Sequence, residues 1–127
     1  MKHLLVYGSL RQNGGRGHNF NRWGAQTFIK ELTLPGYDLY DTLNAYPALT
    51  KGTGTVTFEL HQVEDETANY INGVEERCGY VREDIQVGDV TATLFYMNKI
   101  PKHFVKVPSG NWDKSWELQK REWNILI

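Results

Sequence analysis

One loop and one distant carboxylate are the parts of this chain whose residue types suit chemistry. The apolar run Leu4-Leu5-Val6 leads into Tyr7-Gly8-Ser9-Leu10-Arg11, and the chain then turns polar through Gln12, Asn13, Gly14, Gly15, Arg16 and Gly17. An apolar run that reaches a glycine and opens into polar residues is a strand giving way to a loop. Such a loop can present several main-chain N–H groups to an anion. Glycine at position 8 lets a ligand approach the backbone closely. The carboxylate is Glu75. On a helix it falls between Ala68 and Ile71 around the axis, at the edge of the apolar face, while Glu76 points a further ~100° round toward water. An acid at such an edge is partly desolvated, which raises its pKa toward the range of a useful base, and the neighbouring Glu76 adds like-charge repulsion as a smaller effect.

The elements that must position these groups can be read from periodicity. A helix is expected over about residues 65 to 77, with Asp65 as its cap and Ala68, Ile71 and Val74 on one stripe. Residues 26 to 33 read as a strand, Pro35-Gly36 as a turn, and Tyr37 to Tyr40 as the next strand. Tyr46-Pro47-Ala48-Leu49 is a turn-flanked apolar patch in which Pro47 drives Tyr46 toward an extended conformation. Residues 53 to 60 alternate, with Val56, Phe58 and Leu60 on one face and Thr55, Thr57 and Glu59 on the other. Val81, Ile85 and Val87 share a side of the next strand, and Val90, Ala92, Leu94 and Tyr96 a side of the one after. Gly88-Asp89 between them suits a hairpin. A second helix is expected after Asn111, with Trp112, Trp116 and Trp123 on one face and a Glu117–Arg121 pair as support. These elements define an α+β fold: a small, twisted, mixed or antiparallel sheet curling toward a barrel, with helices against it.

The bulk properties narrow the function classes. With 127 residues the chain suits one domain, residues 1 to 127, able to build its own core. The net charge of −1 gives no electrostatic argument for nucleic acid. Charge is uneven, with nine acids and two arginines over residues 59 to 89 and six bases against three acids over residues 99 to 127. The expected reading is a solvated surface. No apolar run approaches the ~20 residues of a spanning helix, so no membrane role is expected. The first residues are too short an apolar stretch for a secretory signal. The single Cys78 fits a reducing, cytoplasmic setting.

Several motifs then fall into an order. VYGSLR at residues 6 to 11, YPAL at 46 to 49, GTGTV at 52 to 56, INGVEERCGYVR at 71 to 82 and PSGNW at 108 to 112 together resemble the gamma-glutamylcyclotransferase-like superfamily, in particular its small gamma-glutamylamine cyclotransferase branch. The resemblance spans residues 3 to 112. It implies cleavage of a gamma-glutamyl amide by cyclisation: the substrate's own α-amino group attacks its γ-carbonyl, giving 5-oxoproline and a free amine. It also implies that the loop at Tyr7, Gly8, Ser9 and Leu10 holds the glutamyl portion and that the glutamate moves protons. On the chemistry, Glu75 is expected to act as base and then as acid, main-chain N–H groups around Gly8, Ser9, Leu10 and Arg11 to bind the α-carboxylate or the developing oxyanion, and Tyr7 and Tyr80 to be pocket walls or hydroxyl donors. Family members often carry Leu-Asp-x-x-Glu-Gly on this helix; here the aspartate position holds Asn72 and the glycine position Glu76, while the glutamate is kept as Glu75.

No cofactor or metal is expected, because His3, His18, His61 and His103 lack ligand spacing. Ser9 has no nucleophile-elbow context. Cys78 beside Arg77 reads as an inert thiol rather than a catalytic one. Gly14-Gly15-Arg16-Gly17 lacks the Gly-Lys-Ser/Thr of a phosphate loop and reads as a flexible loop. Arg11 is expected either to attract the substrate carboxylate or simply to be solvated. A member of another class, a catalytically silent module of the same fold that binds a small anionic ligand or a protein, is distinguished from the enzyme by whether Glu75 faces the loop. The leaving amine is left open between gamma-glutamyl-lysine and small gamma-glutamyl amines.

Overall fold

The computed structural model describes residues 1–8, 11, 26–43 and 46–112. The strands are β1 (Lys2–Val6), β2 (Gln26–Asp41), β3 (Pro47–Val63), β4 (Val81–Val87), β5 (Val90–Tyr96) and β6 (Val105–Lys106), and the helix α1 (Asp65–Arg77) lies between β3 and β4. They form one sheet in the order β4-β5-β1-β3-β2-β6. β1 is parallel to β5 and antiparallel to β3, and the remaining pairs are antiparallel. This is the mixed, curling α+β sheet expected from the sequence.

The curl has local causes. β2 and β3 form one long hairpin whose register shifts between Phe28 and Lys30 and again between Pro35 and Tyr37. Extra residues of this kind bend a strand and increase its twist. The turn expected at Pro35-Gly36 is therefore a bulge, and the two expected strands are one. Pro35 is tolerated there because β6 covers β2 only at Tyr40 and Asp41, which leaves the edge free where proline lacks its N–H. The apolar patch at 46 to 49 leads into β3, which begins at Pro47.

Backbone bonds then draw the bent hairpin round. Met97 N–H donates to the Leu49 carbonyl (2.7 Å), Val107 N–H to that of Leu39 (2.8 Å) and Thr57 N–H to that of Gly110 (2.8 Å). The sheet thus closes into a half-barrel. Its interior is filled by Leu5, Leu39, Leu49, Phe58, Leu94 and Trp112, with others of the same cluster. The alternation in β3 and β5 supplies these residues, since every second side chain faces inward. Of the expected second helix, Trp112 is buried in this core; residues 113 to 127, like the Gly14–Gly17 segment and His18, lie outside the described residues.

The other face of β1 carries α1. Leu4 and Val6 of β1, Val63 and Phe95 pack against Ala68 and Ile71 of the helix. That packing holds α1 together, because Thr67, Asn69, Asn72 and Gly73 are weak helix formers. Asp65 is not the cap. Glu64 occupies that position without a side-chain hydrogen bond, and Asp65, in the first turn, pairs with the N-terminal ammonium at 3.1 Å. The helix runs unbroken through Asn72 and Glu76. Among the described residues, no helix is long and apolar enough to cross a membrane.

Candidate active site

The contact that buries Ala68 and Ile71 also aims the next turn. Glu75 follows Ile71 by four residues, so it stands one turn along the same face, half-buried at the end of β1. The helix stops there in a defined way. Gly79, with φ +89°, adopts the left-handed conformation that favours glycine. Its N–H donates to the Glu76 carbonyl (3.1 Å), and the Tyr80 N–H donates to that of Glu75 (3.1 Å). This pair of bonds is a Schellman stop. It ties the backbone of Tyr80 to that of Glu75, so the acid and the phenol reach the site as one unit. A glycine just after an amphipathic run, as in Cys78-Gly79, is the sequence signal for this stop.

Glu75 lines a cavity of about 440 Å³. One wall is the end of β1 from Leu4 to Gly8 and a second is Ile71, Val74, Glu75 and Cys78 of the helix end, with Tyr80 beside them. The cavity is completed by Phe95 and Met97, by Thr42 and Tyr46 between β2 and β3, by Pro47 at the start of β3, and by Phe104. Of the residues singled out from sequence, Tyr7, Gly8, Glu75 and Tyr80 thus meet at one cavity, whereas Ser9 and Leu10 lie outside the described residues. Tyr46, Pro47, Met97 and Phe104 were not assigned to the site. Only Tyr46 and Pro47 carried a signal, as part of an ordered motif.

The electrostatics follow from burial. Desolvation raises the Glu75 carboxyl above the ordinary carboxylate value. The repulsion expected from Glu76 plays no part, since that side chain turns outward to Arg82 (Oε1–Nε 3.5 Å). Tyr7 is held well above the usual tyrosine range by burial first and then by Tyr80 and Glu75. Its hydroxyl donates to the Phe95 carbonyl at 2.7 Å, which uses its proton. Tyr80 is raised by burial and then by the Glu75 charge. Both phenols therefore stay protonated at neutral pH.

Arg11 goes somewhere neither expectation foresaw. Its N–H donates to the Gly8 carbonyl (2.9 Å), closing a turn. Its guanidinium is buried and bonds Glu59 (Nε–Oε2 3.0 Å), the Trp112 carbonyl (2.9 Å), Asn111 Oδ1 and Glu31 (3.2 Å). Glu59 in turn meets His61 Nε2 at 2.9 Å, and both are buried. Arg11 is thus neither solvated nor free to reach into the cavity. It clamps the turn after β1 to β3 and to the segment around Trp112. Glu59, counted with the polar face of its strand, is one of the clamp's buried members.

Gly8 faces a similar constraint. A Cβ added there would run into the Pro47 ring. Gly8→Ala is expected to lower stability by about 1–3 kcal/mol, the range for forcing atoms into a packed site, as a lower urea midpoint. An unchanged midpoint would mean that Pro47 yields freely.

A curling mixed sheet, the helix α1 and a half-buried acid at the end of the first strand define a small half-barrel built around a carboxylate-bearing cavity. The family profile described as "Gamma-glutamyl cyclotransferase, AIG2-like" matches residues 4–114, and the chain belongs to that family. It is similar to the gamma-glutamylcyclotransferase family protein ytfP of Citrobacter rodentium, with 30% identity over 111 residues, 86% of this chain and 93% of that protein. Among solved structures it is similar to an uncharacterised protein of Pyrococcus horikoshii, with TM-score 0.77 and 25% identity over 96% of this chain and 98% of that one. The solution structure of ytfP from Escherichia coli gives TM-score 0.68 and 26% identity, covering 89% and 97%.

Proposed function

We propose that the protein converts a gamma-glutamyl amine or amide to 5-oxoproline and a free amine, with Glu75 as general base and then general acid. The observation that carries this reading is Glu75, half-buried and raised by desolvation, lining the same cavity as Tyr7 and Gly8 at the end of β1. Family membership supplies the reaction class.

The chemistry demands little else of the protein. The α-amino group of the bound glutamyl moiety attacks its own γ-carbonyl, so no protein nucleophile is required. Glu75 accepts a proton from the attacking nitrogen. The tetrahedral oxyanion, or the α-carboxylate, is received by main-chain N–H groups of the loop that begins at Gly8 and includes Ser9 and Leu10. Glu75 then returns the proton to the departing nitrogen and the old C–N bond breaks. Holding the substrate coiled for attack is worth about 7–11 kcal/mol of barrier for a well-oriented intramolecular reaction. Tyr7 and Tyr80 serve as walls that keep the carboxylate desolvated. The Arg11 side chain, engaged by Glu59 and the Trp112 carbonyl, serves as an anchor and does not contact substrate.

The test is incubation with a panel of gamma-glutamyl amides, followed by mass spectrometry. The expected result is 5-oxoproline in equal amount to the released amine. A panel that yields none, while a ligand still binds the cavity, would identify a silent binding module.

A further inference from the structure

Part of the cavity lining carries chemistry that the cyclisation does not use. Tyr46, Met97 and Phe104 line it together with Glu75. Each stands on a pinned backbone. The Tyr46 carbonyl accepts bonds from the Thr42 N–H (3.3 Å) and Oγ1 (2.7 Å). Met97 donates its N–H to Leu49 (2.7 Å) and accepts at its carbonyl from Thr50 Oγ1 (2.9 Å). Phe104 N–H donates to the Pro101 carbonyl at 3.1 Å. The backbone that carries the seat is therefore fixed in place, with Met97 and Phe104 half-buried and Tyr46 at the more exposed edge.

A gamma-glutamyl substrate has two ends. The glutamyl end is polar and is the end that reacts. The other end, the body of the departing amine, must lie against whatever lines the rest of the cavity. Two aromatic rings and a thioether favour an apolar or aromatic body, since methionine sulfur and aromatic rings make good mutual contacts. The charge at the cavity is that of Glu75, whose own carboxyl is already raised by desolvation. A second carboxylate on the amine would enter the same desolvated space and repel it.

Resting on the proposed reaction, we infer that the preferred substrates are gamma-glutamyl derivatives of apolar primary amines that bear no carboxylate, arylalkylamines above all, with Tyr46, Met97 and Phe104 as the seat of the leaving amine. Gamma-glutamyl amino acids and peptides, which carry a carboxylate at that end, are poor substrates.

A matched set of compounds tests this. Gamma-glutamylphenethylamide and gamma-glutamylphenylalanine differ by one carboxylate. Gamma-glutamylphenethylamide and gamma-glutamylmethylamide differ by the apolar body. The phenethylamide is expected to exceed both others in kcat/KM by about tenfold or more, the range within which a hydrophobic pocket discriminates. Tyr46→Ala and Phe104→Ala should each lower kcat/KM for the phenethylamide severalfold more than for the methylamide, a split that general loss of structure would not give. Equal or better turnover of gamma-glutamylphenylalanine would overturn the inference. So would a Tyr46→Ala protein that slows all three alike. If no compound releases 5-oxoproline, the reaction itself is wrong, and calorimetric Kd values for the same unreacted compounds then decide the inference: phenethylamide binding tighter supports it, and phenylalanine binding equally well overturns it.

Discussion

Glu75→Gln is expected to reduce turnover by about 10²–10⁴-fold, the range for losing a general acid–base group, while a gamma-glutamyl ligand still binds. Glutamine keeps the shape and polarity of the side chain but can neither take nor return a proton. The same residue sets the acid limb of the pH profile. Burial raises the Glu75 carboxyl above the ordinary carboxylate value, and the base form is the ionised one. Activity should therefore rise with pH through that raised pKa, with a limb displaced upward from the range of an exposed glutamate.

The sign for stability is the opposite. A carboxyl whose folded pKa lies above its unfolded one favours the folded state while protonated, and that contribution is lost as pH rises through the folded value. At neutral pH the ionised Glu75 thus works against the fold. The glutamine variant should unfold at an equal or higher urea concentration than the wild type. A variant that is both inactive and less stable would point to a structural role for the carboxylate.

Arg11→Ala gives the largest expected loss of stability, about 3–5 kcal/mol, because it removes the guanidinium that balances a buried carboxylate. The carboxylate is Glu59, whose side chain is 2% exposed, as is that of Arg11. The Glu31 arm matters far less, since that side chain is 56% exposed and water competes for it. Arg11→Lys should recover only part of the loss, because an ammonium cannot reproduce a fork that reaches Glu59, Asn111 and the Trp112 carbonyl together. Urea unfolding of the three proteins checks the order wild type, Lys, Ala. If alanine matched the wild type, the clamp would be ornamental. The clamp also bears on the site, since the residue it holds closes the turn onto the Gly8 carbonyl.

These two residues mark how far local sequence reaches. Glu75 was legible because its placement depends on neighbours three to seven residues away on one helix, and the period of that helix relates them. The β4–β5 hairpin was legible for the same reason. Arg11 was not, because its side-chain partners stand 20, 48, 100 and 101 residues away and share no local pattern with it. Pro35-Gly36 misled because a turn and a bulge present the same local residues. Only the continued pairing of Leu34 with Val56 and of Tyr37 with Lys51 distinguishes them. Met97 and Phe104 reach the cavity through contacts that close the half-barrel, so they carried no signal before the curl was known.

The central claim is that Glu75 lets a bound molecule cleave its own amide by ring closure, with no water entering the products. Turnover of a gamma-glutamyl amide in ¹⁸O-enriched water, with the products weighed by mass spectrometry, asks this directly. The account predicts 5-oxoproline free of the heavy isotope. Glutamate carrying one ¹⁸O in its γ-carboxyl would mean that water is the attacking group, and would contradict it.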